Sequence, residues 1–387
     1  MDDSTIPAVL TEVQAAVAAL VSWLTQTPDL DLATAETVTL ARLRTVGARV
    51  LAAGLAARGP GKADGPVTCG CGAAARFEGY RAKGVQTLLG WITVRRAYTR
   101  CPDCGARRLP RDATLGLARD SHSPGVRRLA SRFGALLPVA QAAATLHEAA
   151  GVQLSARTVR SVTERVGAAR EQAITAAVAH AWADGWPSPT TTADPVPERC
   201  YVAMDGVRIL STDGAGREAK LGMVVPVRGA PDGERREPAR YTASFEAADA
   251  FGRRLALVAH DQHVETAATV AVLGDGAAWI WNLADEHFPG ATQIVDWYHA
   301  SERIWALGRA LYGADTPATA TWVETHLRAL AAGQAATLAA AWTQLPCRGE
   351  ATTVRDEQVT YFTNQASRMA YDQYRAAGWD IGSGMIE

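Results

Sequence analysis

Apolar residues near the start of the chain recur at helical spacing. Val9, Val13, Val17, Leu20, Val21 and Leu24 share one stripe, which predicts helices over 8–25 and 32–58 with TPDLD as the break. The polar stretch GPGKADGP (59–66) ends this hairpin, which suits an assembly element. Short strand-like runs follow over 67–100, including VQTLLGWITVRRAYTR, and helices cover about 124–183. PSPTTTADPVPERC (187–200) reads as a Pro- and Thr-rich linker. The period then changes to strands at 201–210, 219–227 and 239–246. A helix over about 247–264, a strand (268–274), a helix (277–287), a strand (292–296) and a helix (298–312) come next. Three strands joined by short turns and then alternating with helices predict a mixed α/β sheet; 315–377 reads as mostly helical.

Length and composition fit two or three globular domains: 387 residues, 48% hydrophobic and 20% charged. The net charge of −1 hides an uneven distribution. Residues 62–165 carry 17 Lys and Arg against 7 Asp and Glu, and the remainder is acidic. A basic block beside an acidic one fits a polyanion-binding module joined to a carboxylate-rich, metal-binding one, with chance clustering as the alternative. The start, Met1-Asp2-Asp3, lacks the basic region of a signal peptide, and AAVAALVSWL is too short to span a bilayer, so a cytoplasmic protein is expected.

Cys69-Gly-Cys71 and Cys101-Pro-Asp-Cys104 form two knuckle-like pairs with glycines close by. Four such thiolates suit a structural Zn²⁺ ion, although the first pair is spaced by one residue rather than two; free or redox-active pairs are the alternative. Cys200 and Cys347 stand alone. Arg95, Arg96, Arg100, Arg107, Arg108 and Arg111 give this region a DNA-facing character. AQAAATLHEAAGVQLSARTVRSVTERVG (140–167) reads as helix, turn at Gly151, helix, with Ser155 as N-cap. That is a helix-turn-helix pattern that offers Arg157 and Arg160 to DNA; a plain helical hairpin is the alternative.

Three acidic residues stand where metal chemistry needs them. Asp205 lies in YVAMDGVRI, Asp275 ends AATVAVLG, and Glu387 follows a Gly-Ser-Gly turn. Convergent carboxylates can hold a pair of Mg²⁺ ions for phosphodiester transfer. A turn at Asp205-Gly206 and a helix cap at Asp275-Gly276 are the structural alternatives.

The segments AMDGVRI, REAKLG, YTASFEAADAFGRRL, VLGDGAAWIWNLADEHFPGATQIVDWYHASERIWALGRALYG and RMAYDQYRAAGWDIGSGMIE resemble bacterial insertion-sequence transposases of the ISKra family, more distantly Mutator-type DDE transposases. The cysteine region, with its tight first pair, is similar to that family's N-terminal part. The resemblance covers most of the chain. It implies an RNase H-like mixed-sheet catalytic domain with an all-α insertion, preceded by a zinc ribbon and a helix-turn-helix-like region. The parts are then a helical hairpin (1–60), a ribbon (61–120), a helical region (121–186), the linker (187–200), the catalytic core (201–314), the insertion (315–380) and the start of a truncated catalytic helix (381–387).

By motif the resemblance implies Asp205, Asp275 and Glu387 as the catalytic Mg²⁺ (or Mn²⁺) ligands. Asp296 and His299, in DWYH, are accessory, with Asp296 a reserve ligand and His299 equally readable as a core histidine. Trp279, Trp281, Trp297, Trp305 and Trp322 read as core. The implied partner is double-stranded DNA, both transposon ends and target, bound by a homo-oligomer. Relatives continue past the glutamate, so a truncated copy of low activity is expected. A non-catalytic DNA-binding protein and a simple metal-dependent nuclease are the rival readings. No Walker-type phosphate loop occurs.

Overall fold

The computed structural model describes residues 5–62, 65, 67–117, 120–183, 196–210, 214, 216–230 and 233–382. The chain forms two compact units, Met1–Ala173 and Ile174–Glu387.

The first unit opens with antiparallel helices α1 (Thr5–Gln26) and α2 (Leu32–Ala57). Asp31 caps α2 by accepting the Thr34 N–H at 2.8 Å. A cation–π contact of Arg42 over Trp23 (5.0 Å) and a 3.3 Å Arg49–Glu12 pair tie the helices together. Leu20 is buried, while Ile6, Leu10, Val17 and Val21 on α1 and Leu32, Leu40, Leu43 and Val50 on α2 stay exposed. Ile6–Gln26, 21 residues long, is long and apolar enough to cross a membrane. The apolar stretch is therefore longer than AAVAALVSWL, because the helix continues on both sides of it.

Strands β1 (Val67–Thr68), β2 (Ala74–Thr87), β3 (Gly90–Arg100) and β4 (Arg107–Arg108) form an antiparallel sheet in chain order. β2 and β3 pair from Arg76↔Arg100 to Thr87↔Gly90, with an irregularity at Phe77/Gly79. One sheet face sends Val85, Ile92 and Val94 against Ala48, Leu51 and Leu55 of α2. Two arginines expected to face DNA are instead structural. Arg96, on the same face, is buried and pairs with Asp112 at 2.7 Å in α3 (Pro110–Thr114). Arg111 is also buried; it donates to the Arg95 carbonyl at 3.1 Å and to the Leu55 carbonyl. Both guanidiniums thus spend donors on oxygens of this unit rather than presenting them to solvent.

Helices α4 (Pro124–Leu136), α5 (Val139–Ala150) and α6 (Ala156–Ala183) complete this unit, α6 running on past the unit boundary. Val126, Ala130, Leu146, Val152 and Val162 form their core. Gly151 ends α5 in the left-handed region (φ 64°) and Ser155 Oγ accepts the Thr158 N–H at 3.1 Å. Both were legible because they are local. Asp120 accepts from the His122 N–H (3.1 Å) and Arg165 (2.6 Å), with Arg127 at 3.6 Å.

Burial opposes the Asp120 charge, but these donors hold its pKa below the ordinary carboxylate value. Burial lowers the His122 pKa against the opposing pull of Asp120, with Arg165 and Arg127 adding to the lowering. In both cases the unfolded chain binds more protons, so stability rises with pH and is lost as pH is lowered. The His122 part is complete above about pH 6.5 and is lost as pH drops below it; the Asp120 part follows below about pH 4. The expected result is a fall in unfolding temperature between pH 7 and pH 5 that His122→Gln reduces. An identical fall in both proteins contradicts it.

The second unit is built on a six-stranded sheet: β5 (Arg199–Leu210), β6 (Gly216–Ala230), β7 (Gly233–Arg236), β8 (Arg240–Ser244), β9 (Thr269–Gly274) and β10 (Thr292–Val295). The order is β10-β9-β5-β6-β7, with β8 also paired to β6. β5, β6 and β8 are antiparallel neighbours; β5, β9 and β10 run parallel. Helix α7 (Ala248–Asp261) precedes β9, and α8 (Ala278–His287) connects β9 to β10. Residues 200–204 are all buried, so β5 shows no alternation until it emerges at Asp205. This is expected of a strand covered on both faces. On one side Gly222 admits α7; a Cβ there would lie 2.8 Å from Leu255 and 3.1 Å from Phe251. On the other, Trp379 packs edge-on against Tyr201 at 5.4 Å.

Five helices follow: α9 (Trp297–Tyr312), α10 (Pro317–Ala331), α11 (Ala335–Trp342), α12 (Glu350–Gln365) and α13 (Tyr371–Ala376). Trp281 and Trp342 are buried, and Trp279, Trp297, Trp305 and Trp322 pack partly buried on the core. Strand β7 went unread in the sequence, since GERR has neither alternation nor apolar content. Residues 184–195, most of the expected linker, and Glu387 lie outside the described residues, whereas Arg199 and Cys200 already belong to β5.

Candidate functional site

The second unit brings together two of the three expected carboxylates and adds a third aspartate. Met204 of β5 pairs with Gly274 of β9, and Gly274 pairs with Val295 of β10. The next residue on each strand is an aspartate: Asp205, Asp275 and Asp296. Adjacent strands lie about 4.8 Å apart, so the three stand side by side along the carboxyl-end edge of the parallel strands. Ligands gather at that edge in α/β sheets.

The three carboxylates are not equivalent. Asp205 and Asp275 are half-buried, while Asp296 is completely buried. Asp205 Oδ1 accepts the Gly206 N–H at 2.7 Å, and Asp275 Oδ1 accepts the Ala277 N–H at 2.8 Å. For both residues, no hydrogen bond to Oδ2 is seen among the described residues. Asp296 Oδ1 accepts from Tyr298 N (2.7 Å) and His299 N (3.2 Å), which makes it the N-cap of α9. His299 joins the site through its backbone N–H, and the residue is half-buried.

The loop carrying Asp275 is braced by a distant helix. Gly276 adopts φ 101° with the Tyr361 ring against it, where a Cβ would come within 2.7 Å. Tyr361 Oη donates to the Asp275 carbonyl at 2.6 Å, and Gln365 Nε2 to the Gly276 carbonyl at 2.9 Å. Burial, reinforced by Asp275 and Asp296, raises the Tyr361 pKa despite Arg303, so the phenol remains a donor. The Arg303 guanidinium sits 4.7 Å over the Tyr361 ring. Tyr361, Gln365 and Arg303 were missed in the sequence. Their only local signal is an i,i+4 polar pair on α12, and the partner loop lies nearly ninety residues away.

The last described stretch approaches the same edge. Arg199 donates to the Gly378 carbonyl (2.7 Å), Asp380 N to Tyr201 Oη (3.1 Å) and Trp297 N to the Ile381 carbonyl (2.8 Å). A Cβ on Gly382 would lie 3.0 Å from the Tyr298 ring and 3.9 Å from Asp296 Oδ2. The chain thus reaches the Asp296 end of the carboxylate row five residues before Glu387.

In the first unit, all four expected cysteines converge. Their sulfurs lie within 4.8 Å of one another, with Cys69–Cys104 at 3.5 Å and Cys71–Cys101 at 3.6 Å. Sulfurs about 2.3 Å from a tetrahedral zinc stand roughly 3.8 Å apart, so this cluster can hold a metal ion such as zinc. Each knuckle closes on a glycine. Gly72 N donates to the Cys69 carbonyl (3.0 Å) at φ 88°, and Gly105 N to the Cys101 carbonyl (3.1 Å) at φ 69°. The one-residue spacing of the first pair is therefore accommodated, because the turn closes after Cys71.

The Cys71 N–H and the Cys104 thiol lower Cys69 to about 7. The Ala106 N–H favours a Cys104 thiolate, but the neighbouring sulfurs outweigh it and push Cys104 up to about 12. Four thiolates this close repel one another unless a cation binds them. Isolated Cys200 is buried, which pushes it up to about 12; it is core, and Cys347 is half-buried.

Of the remaining expected DNA contacts, Arg95, Arg107, Arg108, Arg157 and Arg160 are exposed; Arg96 is not. Arg157 and Arg160 project from the first turns of α6, whose Val159 and Val162 face the core. No family model matches this chain, and no curated protein matches it.

Proposed function

We propose that the chain is a DDE-type transposase of an insertion sequence, cutting DNA and joining its ends by Mg²⁺-dependent phosphodiester transfer in a bacterial cytoplasm. The observation that carries this reading is the register Met204↔Gly274↔Val295, which lines up Asp205, Asp275 and Asp296. A sheet of four antiparallel-paired strands (β5 to β8) continued by two parallel ones (β9 and β10), with α7 and α8 in the connections, fits an RNase H-like core. Helices α10 to α13 fit the all-α insertion before the last acidic residue.

The donor set suits the metal. Asp205 and Asp275 each offer a hard carboxylate oxygen, Oδ2, that accepts no hydrogen bond among the described residues, as suits Mg²⁺. These two residues, joined by Glu387, would hold the ions, which supply polarisation of the phosphate and activation of the attacking oxygen. The chain's own part is positional. Rigid strand ends fix the two carboxylates, and Tyr361 and Gln365 hold the 275–276 loop. Asp296 caps α9 and orients the DWYH segment. Buried as that cap, it supports the site rather than supplying a ligand.

In the first unit the cysteine quartet is read as a structural zinc ribbon, and α5–α6 as a helix-turn-helix with Arg157 and Arg160 toward DNA. Incubating the chain at high concentration with supercoiled plasmid and short linear duplexes tests the whole reading. Nicked and joined products at low yield that need Mg²⁺ or Mn²⁺ are expected; products that persist in chelator, or their absence with either ion, contradict it. Nicking without joining would favour the plain nuclease.

A further inference from the structure

The β2–β3 hairpin has a second face that the zinc cluster and the core leave unused. It presents Trp91, Thr93 and Arg95 from β3, with Ala82 paired to Arg95 and Gly84 to Thr93 from β2. All five are exposed, and Trp91 is 62% accessible. The indole rests over Gly84, where a Cβ would be 3.6 Å away. At the other end the Arg95 guanidinium stacks 4.0 Å from the centre of the Tyr80 ring. Thr93, Ala82 and Gly84 leave a flat floor between them. Trp91 and Arg95 are four residues apart on one strand, a span of about 13 Å.

Two further observations say what would cover this face. The surrounding segment, 62–165, is strongly basic, with 17 Lys and Arg against 7 Asp and Glu. Beside the platform lies the turn that precedes α6. Gln86, the cross-strand partner of Trp91, donates through Nε2 to the Gln153 carbonyl at 3.4 Å, within the α5–α6 turn. This bond ties the hairpin to the turn that leads into α6, whose first turns bear Arg157 and Arg160. An exposed indole stacks on any unpaired base, and an arginine held flat against a ring offers its N–H groups to phosphates.

We infer that the Trp91–Arg95 face is a stacking platform for unpaired nucleotides of a DNA strand whose duplex part is held by α6. The inference rests on the DNA-binding reading above and adds a strand preference to it. The test compares a labelled duplex of about 20 base pairs, blunt or with a single-stranded dT tail of about six nucleotides, by fluorescence anisotropy at fixed salt. Wild type should bind the tailed duplex about tenfold more tightly than the blunt one. Trp91→Ala should remove that difference and leave blunt-duplex binding and zinc content unchanged, and Trp91→Phe should restore most of it. Joint replacement of Arg157 and Arg160 by Ala should weaken both substrates. Intact blunt-duplex binding without a tail preference, or a preference that survives Trp91→Ala, overturns this inference alone. No binding to either substrate overturns the DNA reading and this inference with it.

Discussion

Asp205→Asn and Asp275→Asn should each lower divalent-ion-dependent DNA cleavage by about a thousandfold or more while leaving fold and DNA affinity unchanged. Each substitution keeps an oxygen for the local N–H: Gly206 at position 205 and Ala277 at position 275. The turns therefore survive. What disappears is the negative charge that would hold a cation, worth several kcal/mol of transition-state stabilisation, at tenfold in rate for each ~1.4 kcal/mol. Asp296→Asn is the informative contrast. Its carbonyl oxygen can still accept from Tyr298 and His299, so the α9 cap remains. If Asp296 acts only as a cap, this variant keeps most of its activity. Equal, severe losses in all three variants, with folds intact, would make Asp296 a metal ligand. Full activity in Asp205→Asn would remove the carboxylate account. Rates come from product gels, and fold integrity from circular dichroism.

The second large effect concerns the cysteine quartet. Cys101→Ser, or zinc withdrawal by a strong chelator, should unfold the β1–β4 sheet around the cluster. At the knuckle end of the sheet, among the described residues, the apolar core consists of Cys69, Ala75 and Cys101 with Ala73 and Ala106 at its edge; the far end packs on α2 through Val85, Ile92 and Val94. That is too little apolar surface to hold β1, β4 and the adjoining ends of β2 and β3 in place, since small metal domains draw on the order of 10 kcal/mol from their ion. One zinc per chain is expected in wild type, none in Cys101→Ser, and one in Cys200→Ser and Cys347→Ser. Elemental analysis with limited proteolysis reads both properties. A metal-free chain as protease-resistant as the loaded one contradicts the prediction.

Features set by near neighbours were legible in the sequence. The glycine knuckles, the Ser155 cap, the Gly151 terminus and the strand-then-aspartate pattern each lie within a few residues, and local chemistry dictates them. Arg96 and Arg111 misled for the opposite reason. Their roles depend on Asp112 and the Leu55 carbonyl, and a run of arginines looks the same whether it faces solvent or a buried oxygen. Asp296 was noticed, but its place level with Asp205 and Asp275 follows from strand register, which no single strand encodes. The bracing of the Asp275 loop by Tyr361 and Gln365 is invisible for the same reason. Strand β7 offered no pattern to read.

The central claim is that Asp205 and Asp275 share divalent cations. Anomalous diffraction from crystals of the chain soaked in Mn²⁺ tests it most directly. The account predicts manganese peaks contacted by both carboxylates at the ends of β5 and β9. Peaks that bind only one of them, or lie elsewhere in the second unit while both side chains are ordered, would contradict it.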